Sequence, residues 1–229
     1  MAAQHTSGSA TNLVDLLAGN SPFTWSHTAV NNACLFVFIG TGINPAATGD
    51  CVTSVTYNGI NLTKKQFTGD GGNAWSGVQL WEYHGTVDGT QTIAVNYNQS
   101  GIDWFACAIS MDADYTISGV YTNTNTTSNP SVYVGNVMVA EYVIGFQASD
   151  ESINATTEAA NLIAEAEDVG SDNDFNGQWD INATADPIDY TMSWTRTTSA
   201  NEWWVAMAAV LTWNYTPPAS KNLTLLGVG

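Results

Sequence analysis

Three histidines, three cysteines and twenty-one acidic residues are the side chains of this chain best equipped for chemistry. A nucleophile needs a neighbouring base and a group that orients that base. His5, His27 and His84 stand apart in sequence; the first lies near the N-terminus and the other two end strand-like runs. No Gly-x-Ser-x-Gly elbow, phosphate loop, dinucleotide fingerprint or His-Glu-x-x-His pair occurs. A triad or zinc site would have to be assembled from distant residues. Cys34 and Cys107 fall in apolar runs and read as buried free thiols, and with Cys51 they allow at most one disulfide. A glycosidase-type carboxylate pair is defined by spatial separation, and Asp103 and Glu202, each preceding a tryptophan, read more simply as polar residues entering a long strand. The expectation is a chain with no catalytic residues and no required cofactor.

Binding chemistry has three candidates. The run from Asp172 to Asp180, Asp-Asn-Asp-Phe-Asn-Gly-Gln-Trp-Asp, spaces Asp172, Asp174, Asn176 and Asp180 as oxygen ligands around a glycine turn, the pattern calcium favours. Its twelfth position is Ala183 where a bidentate glutamate would stand, so an acidic turn is the competing reading. Trp75, in a glycine-rich stretch, is the ring most exposed by its context and could stack on a sugar, whereas Trp81, Trp194 and Trp213 sit in apolar strands and read as core. Leu223, Leu225 and Leu226 form a short apolar segment beyond Pro217-Pro218 that could dock on the chain's own sheet or on a neighbouring subunit.

The elements that would carry these residues are strands. Alternating or continuous apolar runs bounded by turn residues predict strands at 23–28, 34–40, 52–57, 62–67, 78–83, 90–97, 104–111, 131–134, 137–146, 162–167, 189–195 and 202–213. Asn58-Gly59 is a strong hairpin signal. Only 11–17 and 157–167 have helix-compatible composition, and the second aligns with a strand in an internal repeat. In that repeat residues 92–108 lie over 191–207 at a constant offset of 99: apolar strand, polar turn, acid-Trp-aromatic, small apolar strand. Upstream, 35–40 resembles 140–145, with 78–84 and 162–168 falling between the matches. The fold expected is all-β, a jelly-roll-like β-sandwich built from two similar halves, about 21–115 and 120–213. Two small sandwiches side by side are the alternative to one merged sandwich. Residues 1–20 and 214–229 read as terminal arms.

Composition limits the partners. Four basic residues face twenty-one acids for a net charge of −17, and charged residues make up only 11% of the chain. Nucleic-acid binding needs a basic groove, which Lys64, Lys65, Arg196 and Lys221 cannot supply, and anionic membrane surfaces are disfavoured on the same ground. No run of 18 apolar residues occurs, and residues 1–19 lack a basic, then apolar, leader pattern. Synthesis in the cytoplasm is the expectation.

The run 52–63, Val-Thr-Ser-Val-Thr-Tyr-Asn-Gly-Ile-Asn-Leu-Thr, resembles a motif of β-sandwich modules in tailed-phage virion proteins and bacterial surface proteins. Val78-Gln-Leu-Trp-Glu-Tyr, the Thr-rich strand 90–97 and Trp204-Val-Ala-Met-Ala-Ala-Val-Leu extend the likeness over roughly 21–213. The motifs mark strands and a hairpin and carry no chemistry. The resemblance implies a capsid decoration, cement or head-fibre subunit located on the virion, homo-oligomeric, with the major capsid protein as its partner. The alternative is a carbohydrate-binding adhesin module.

Overall fold

The computed structural model describes residues 5–10, 14–16, 22–42, 50–69, 77–98, 102–125, 129–150, 157–158, 161–168, 173–184, 186–195 and 203–214. Trp75, Asp172, Leu223, Leu225 and Leu226 lie outside them. The described residues form β1 (His5–Ala10), β2 (Val14–Leu16), β3 (Phe23–Gly42), β4 (Val52–Tyr57), β5 (Ile60–Asn61), β6 (Thr63–Gly69), β7 (Gly77–Tyr97), β8 (Ile102–Met111), β9 (Tyr115–Asn125), β10 (Ser131–Val137), β11 (Tyr142–Asp150), β12 (Thr157–Glu158), β13 (Asn161–Asp168), β14 (Asn173–Ile181), β15 (Ile188–Thr195) and β16 (Trp204–Trp213). The all-β expectation holds for these residues, and 161–168 is a strand despite its helix-forming composition.

Every strand pairing is antiparallel, and the pairings fall into two units. In the first, β1, β8, β3, β7, β4 and β5 follow one another across a sheet, with β2 on β8 and β6 on β7. In the second, β13-β14-β11-β16-β9 form one sheet and β10-β15-β12 another. The two are the same design. The order β1-β8-β3-β7-β6 corresponds to β9-β16-β11-β14-β13, and β3-β7-β4 corresponds to β10-β15-β12. In the first unit β3 and β7 run through both layers, bending at a register break near Asn31 and Asn32, so one sheet folds over itself. In the second unit the same path is cut into β10 then β11, and β14 then β15.

Side-chain alternation shows what lies between the layers. Leu35, Val37 and Ile39 of β3, with Trp104, Ala106 and Ala108 of β8, fill the interior of the first unit together with Phe23, Trp25, Val55, Ile93 and Val95. The alternate residues Phe36, Phe38, Phe105, Cys107 and Ile109 face the second unit and pack on Ile144, Phe146, Phe175, Val205 and Met207. Val132, Val134, Met192, Trp194, Trp204, Ala206 and Ala208 fill the interior of the second unit. The molecule is therefore four sheet layers deep, two sandwiches joined by their larger sheets. Strands buried on both faces read as continuous apolar runs, as Cys34–Ile39 and Trp104–Ile109 do. At the junction Phe38 stacks on Phe146 at 5.7 Å and Phe105 on Phe146 at 6.0 Å. Gly40 leaves room for these rings: a Cβ there would lie 2.5 Å from Phe175 and 2.7 Å from Phe146.

The structure corrects several sequence expectations. The offset of 99 holds from β7 to β15, where Ile93 and Val95 match Met192 and Trp194 as interior residues. It fails one strand later: Trp104 matches Trp204, an offset of 100, because both face their own sandwich interior. One extra residue in the second turn restores the face, since a one-residue slip would turn every side chain over. The likeness of 35–40 to 140–145 is out of phase for the same reason. The counterpart of the first part of β7 is β14, and β13 corresponds to β6. Strand β9 was not anticipated, because Asn, Thr, Ser and Gly dilute its pattern. Residues read as an N-terminal arm supply β1 and β2, both paired to β8.

Candidate functional site

The end of the molecule where the first unit bends gathers a cluster of charged and polar side chains. Strand β7 brings Glu82 and His84 to one face, two residues apart, and the connection between the units supplies Asp114. His84 Nδ1 lies 2.8 Å from Asp114 Oδ1, and His84 Nε2 lies 3.5 Å from Glu82 Oε2. Lys65 donates to Glu82 Oε1 at 2.8 Å. Asn214 donates to the other oxygen of Asp114 at 3.2 Å and accepts from the Thr116 hydroxyl at 3.1 Å. A depression of about 500 Å³ beside this group is lined by Asn31, Asn32, Ala33, His84, Gly85, Thr86 and Asp114. The arrangement joins a histidine to an orienting carboxylate, which is two-thirds of a nucleophilic triad.

The third member is missing among the described neighbours. Cys34 sits opposite His84 in the β3–β7 ladder, but its thiol donates to Ala113 O at 3.3 Å. Burial pushes that thiol up to about 12, so it stays protonated and unreactive near neutrality. Burial likewise pushes Cys51 up to about 11 and raises Cys107 further. All three are buried free thiols. The bend end is thus a polar clasp between the two units.

A second polar cluster lies inside the first sandwich. His27, fully buried, places Nδ1 at 2.7 Å from Ser9 Oγ and Nε2 at 2.8 Å from Ser110 Oγ. Asn32 donates to Ser110 Oγ at 2.6 Å and the Trp25 indole to Ser9 Oγ at 3.2 Å. Ser110 has no exposed surface, so its hydroxyl cannot meet a substrate. The network ties β1 to the core: a polar strand with little apolar anchorage is held by side-chain hydrogen bonds around the buried His27.

The segment read as a calcium loop or acidic turn is strand β14, paired with β11 on one side and β13 on the other. Its apolar residues alternate: Phe175, Trp179 and Ile181 pack into the junction between the units. Its polar residues face β15 and are matched there. Asn176 Oδ1 accepts from the Trp194 indole at 2.9 Å, Gln178 donates to Ser193 O at 2.8 Å, and Asp180 accepts from the Tyr190 hydroxyl at 2.8 Å. In an extended strand Asn176 and Asp180 stand about 13 Å apart, too far to share one ion. Asp174 lies on the same strand. The signal that could have identified the strand is the period-two spacing of Phe175, Gly177, Trp179 and Ile181, which the abundance of Asn, Asp and Gly outweighed.

Of the tryptophans read as core, Trp81 and Trp194 are buried, but Trp213 is 43% exposed. It is the last residue of β16, where the covering layer ends. Tyr133, 63% exposed on the outer face of the three-stranded sheet, donates to Asp189 at 3.2 Å. Sequence reasoning did not single it out. The two described lysines are both committed: Lys65 to Glu82, and Lys64 to Asp50 and to the faces of Trp81 and Phe67. No family model matches this chain, and neither does any curated protein or any solved structure.

Proposed function

We propose that this chain is a non-catalytic structural module, a capsid decoration, cement or head-fibre subunit that binds the outer surface of a phage shell and acts through its exterior. The observation that carries the reading is the state of the interior. Three layers of packed side chains fill the spaces between the sheets, and the three thiols are shut away. Histidine 27 is spent on structural bonds, and so is the imidazole of His84. What remains for function is the surface, rich in Thr, Ser and Asn and carrying the net charge of −17. Such a surface suits the outside of a particle, where like charge keeps particles apart. Each sandwich reads as a jelly-roll-like unit, consistent with the resemblance of 52–63 and 204–211 to virion modules. The test is stoichiometric recovery of the chain with purified particles, and rebinding of added protein to particles stripped of it. Recovery of particles that lack the chain and do not rebind it overturns the assignment.

A carbohydrate-binding adhesin is the second reading, and Tyr133 favours it. Its exposed ring is fixed by Asp189 and offers an apolar face beside an acceptor, the pairing that sugars stack on and donate to. Glycan-array binding that disappears in Tyr133→Ala supports it, and an array without signal rejects it.

A further inference from the structure

We propose that β9 is a self-association edge, at which two copies of this chain pair antiparallel about a two-fold axis passing through Tyr121. An unpaired edge strand is a template for another strand, and proteins blunt such edges with charge, proline, bulges or brevity. The described edges differ in how far they are blunted, and β9 is the longest that carries neither charge nor proline; β1 and β4 also lack both, but each is six residues long with a register break. Strand β13 carries Glu165, Glu167 and Asp168, and β6 carries Lys64 and Lys65. Strands β5 and β12 are two residues long, and β10 has a register break between Tyr133 and Gly135. Strand β9 runs for 11 residues, Tyr-Thr-Ile-Ser-Gly-Val-Tyr-Thr-Asn-Thr-Asn, with neither a charge nor a proline.

The backbone directions on β9 can be read from one bond. Thr124 N–H is taken by the Asn123 side chain at 2.9 Å, so it points away from β16, the partner on the other side. Amide direction alternates along an antiparallel strand, so Thr122 and Val120 also present N–H and C=O to the open side. The Asn123 cap closes this stretch at one end. At the other end the register break beside Ser118, whose hydroxyl donates to Val210 O at 3.3 Å, closes it. A two-fold axis at Tyr121 then sets Val120 opposite Thr122 of the second copy and Thr122 opposite Val120, and the five-stranded sheets become one. Tyr121 faces its own equivalent across the axis. Its ring lies over Gly119, where a Cβ would come within 2.9 Å of it, which leaves the edge itself uncluttered.

The symmetry of the open stretch points to a second copy as the occupant: it is closed three residues from Tyr121 on either side, at Ser118 and at Thr124, so it is complementary to itself under the axis. Two chains of net charge −17 repel over most of their surfaces. A neutral strip that is complementary to itself under the axis is where they meet at least Coulomb cost. A basic partner would be drawn to an acidic edge such as β13 instead. This pairing deepens the assembly reading above and is tested apart from it.

Sedimentation of the full chain is expected to show a dimer. Thr122→Pro removes one outward N–H while sparing the ladder to β16, and is expected to yield a folded monomer with an unchanged far-ultraviolet spectrum. Tyr121→Cys is expected to cross-link to a covalent dimer under an added oxidant, because residues facing each other at a two-fold lie within disulfide reach. A native chain that is monomeric throughout its soluble range overturns the pairing. So does a dimer that survives Thr122→Pro, or one in which Tyr121→Cys stays uncross-linked. Particle binding by the Thr122→Pro monomer separates the two proposals: retained binding with a monomeric native chain removes the edge pairing alone, and a dimer that ignores particles removes the virion assignment alone.

Discussion

The two units solve the same corner in different ways. Residues 5–111 turn from one sheet layer to the next without leaving the strand: β3 bends at Asn31, whose φ is 53°, and β7 at Gly85, whose φ is 149°. Residues 115–213 leave the strand at the same place and turn at Met138–Glu141 and, among the described residues, at 182–184 and 186–187. The continuous corner is held by backbone pairing on both sides of a bulge. The interrupted corner keeps three backbone bonds, Ala140 N–H to Asn182 O at 2.9 Å, Asn182 N–H to Glu141 O at 3.0 Å and Glu141 N–H to Met138 O at 3.1 Å, and adds side-chain bonds to them. Asn182 donates to Val137 O at 2.8 Å and to Asp186 O at 3.1 Å. Glu141 accepts from Met138 N–H at 2.8 Å and from the Thr212 hydroxyl at 2.7 Å. Cutting a strand moves part of the hold on a corner from shared ladder bonds to polar side chains, of which Asn182 is buried, and concentrates its sensitivity there.

The largest expected effect tests what the two units share. Phe146→Ala opens the layer between them and is expected to cost about 3–5 kcal/mol, read as one coincident shift of the denaturant midpoint for probes in either unit. The next separates the corners. Asn182→Ala, at a residue only 3% exposed, removes the side-chain donor to the buried Val137 carbonyl and is expected to cost about 1–3 kcal/mol. Asn31→Gly, which relaxes a positive φ, should change stability by no more than about 1 kcal/mol in either direction. Equal losses in thermal denaturation would erase the contrast. A smaller effect compares matched tryptophans. The buried indole N–H groups of Trp104 and Trp204 lack hydrogen-bond partners, whereas that of Trp194 bonds Asn176. Trp194→Phe removes the indole donor to the buried Asn176 oxygen and is expected to cost about 1–3 kcal/mol, and Trp204→Phe less, because it removes a donor that has no partner.

The smallest effect at neutral pH comes from the thiols. Their folded values are raised by burial above the ordinary 9.0, Cys34 to about 12 and Cys51 to about 11. Below pH 9 the thiols are protonated in both folded and unfolded chains, and the stability linked to them is fully present. As pH rises from 9 towards 12 the unfolded chain sheds protons that the folded chain keeps, so stability falls. Denaturant midpoints should be flat from pH 7 to 9 and decline above it, and Cys34→Ala should flatten part of the decline.

Much of this architecture was legible in sequence because strands buried on both faces are written as uninterrupted apolar runs. Residues 34–40, 104–111 and 204–213 could be read at once. The Asn58-Gly59 hairpin was equally plain, and both residues adopt the positive φ that such a turn requires. Strand β14 was hidden because its polar face is satisfied by β15 rather than by solvent, a relation visible only once the two strands meet. The repeat was detected but misphased, since a shared acid-Trp-aromatic motif outweighed the parity of faces that packing enforces. The polar clasp of Glu82, His84, Asp114 and Asn214 unites residues up to 132 positions apart, beyond the reach of local pattern.

Native-state hydrogen exchange tests the account most directly, because its core is that two duplicated sandwiches form one folded body through a filled middle layer. Amides of β3, β8, β11 and β16 are expected to exchange only by global opening, with one common free energy and one common denaturant dependence. Two distinct opening free energies, one for residues 5–111 and another for 115–213, would contradict it.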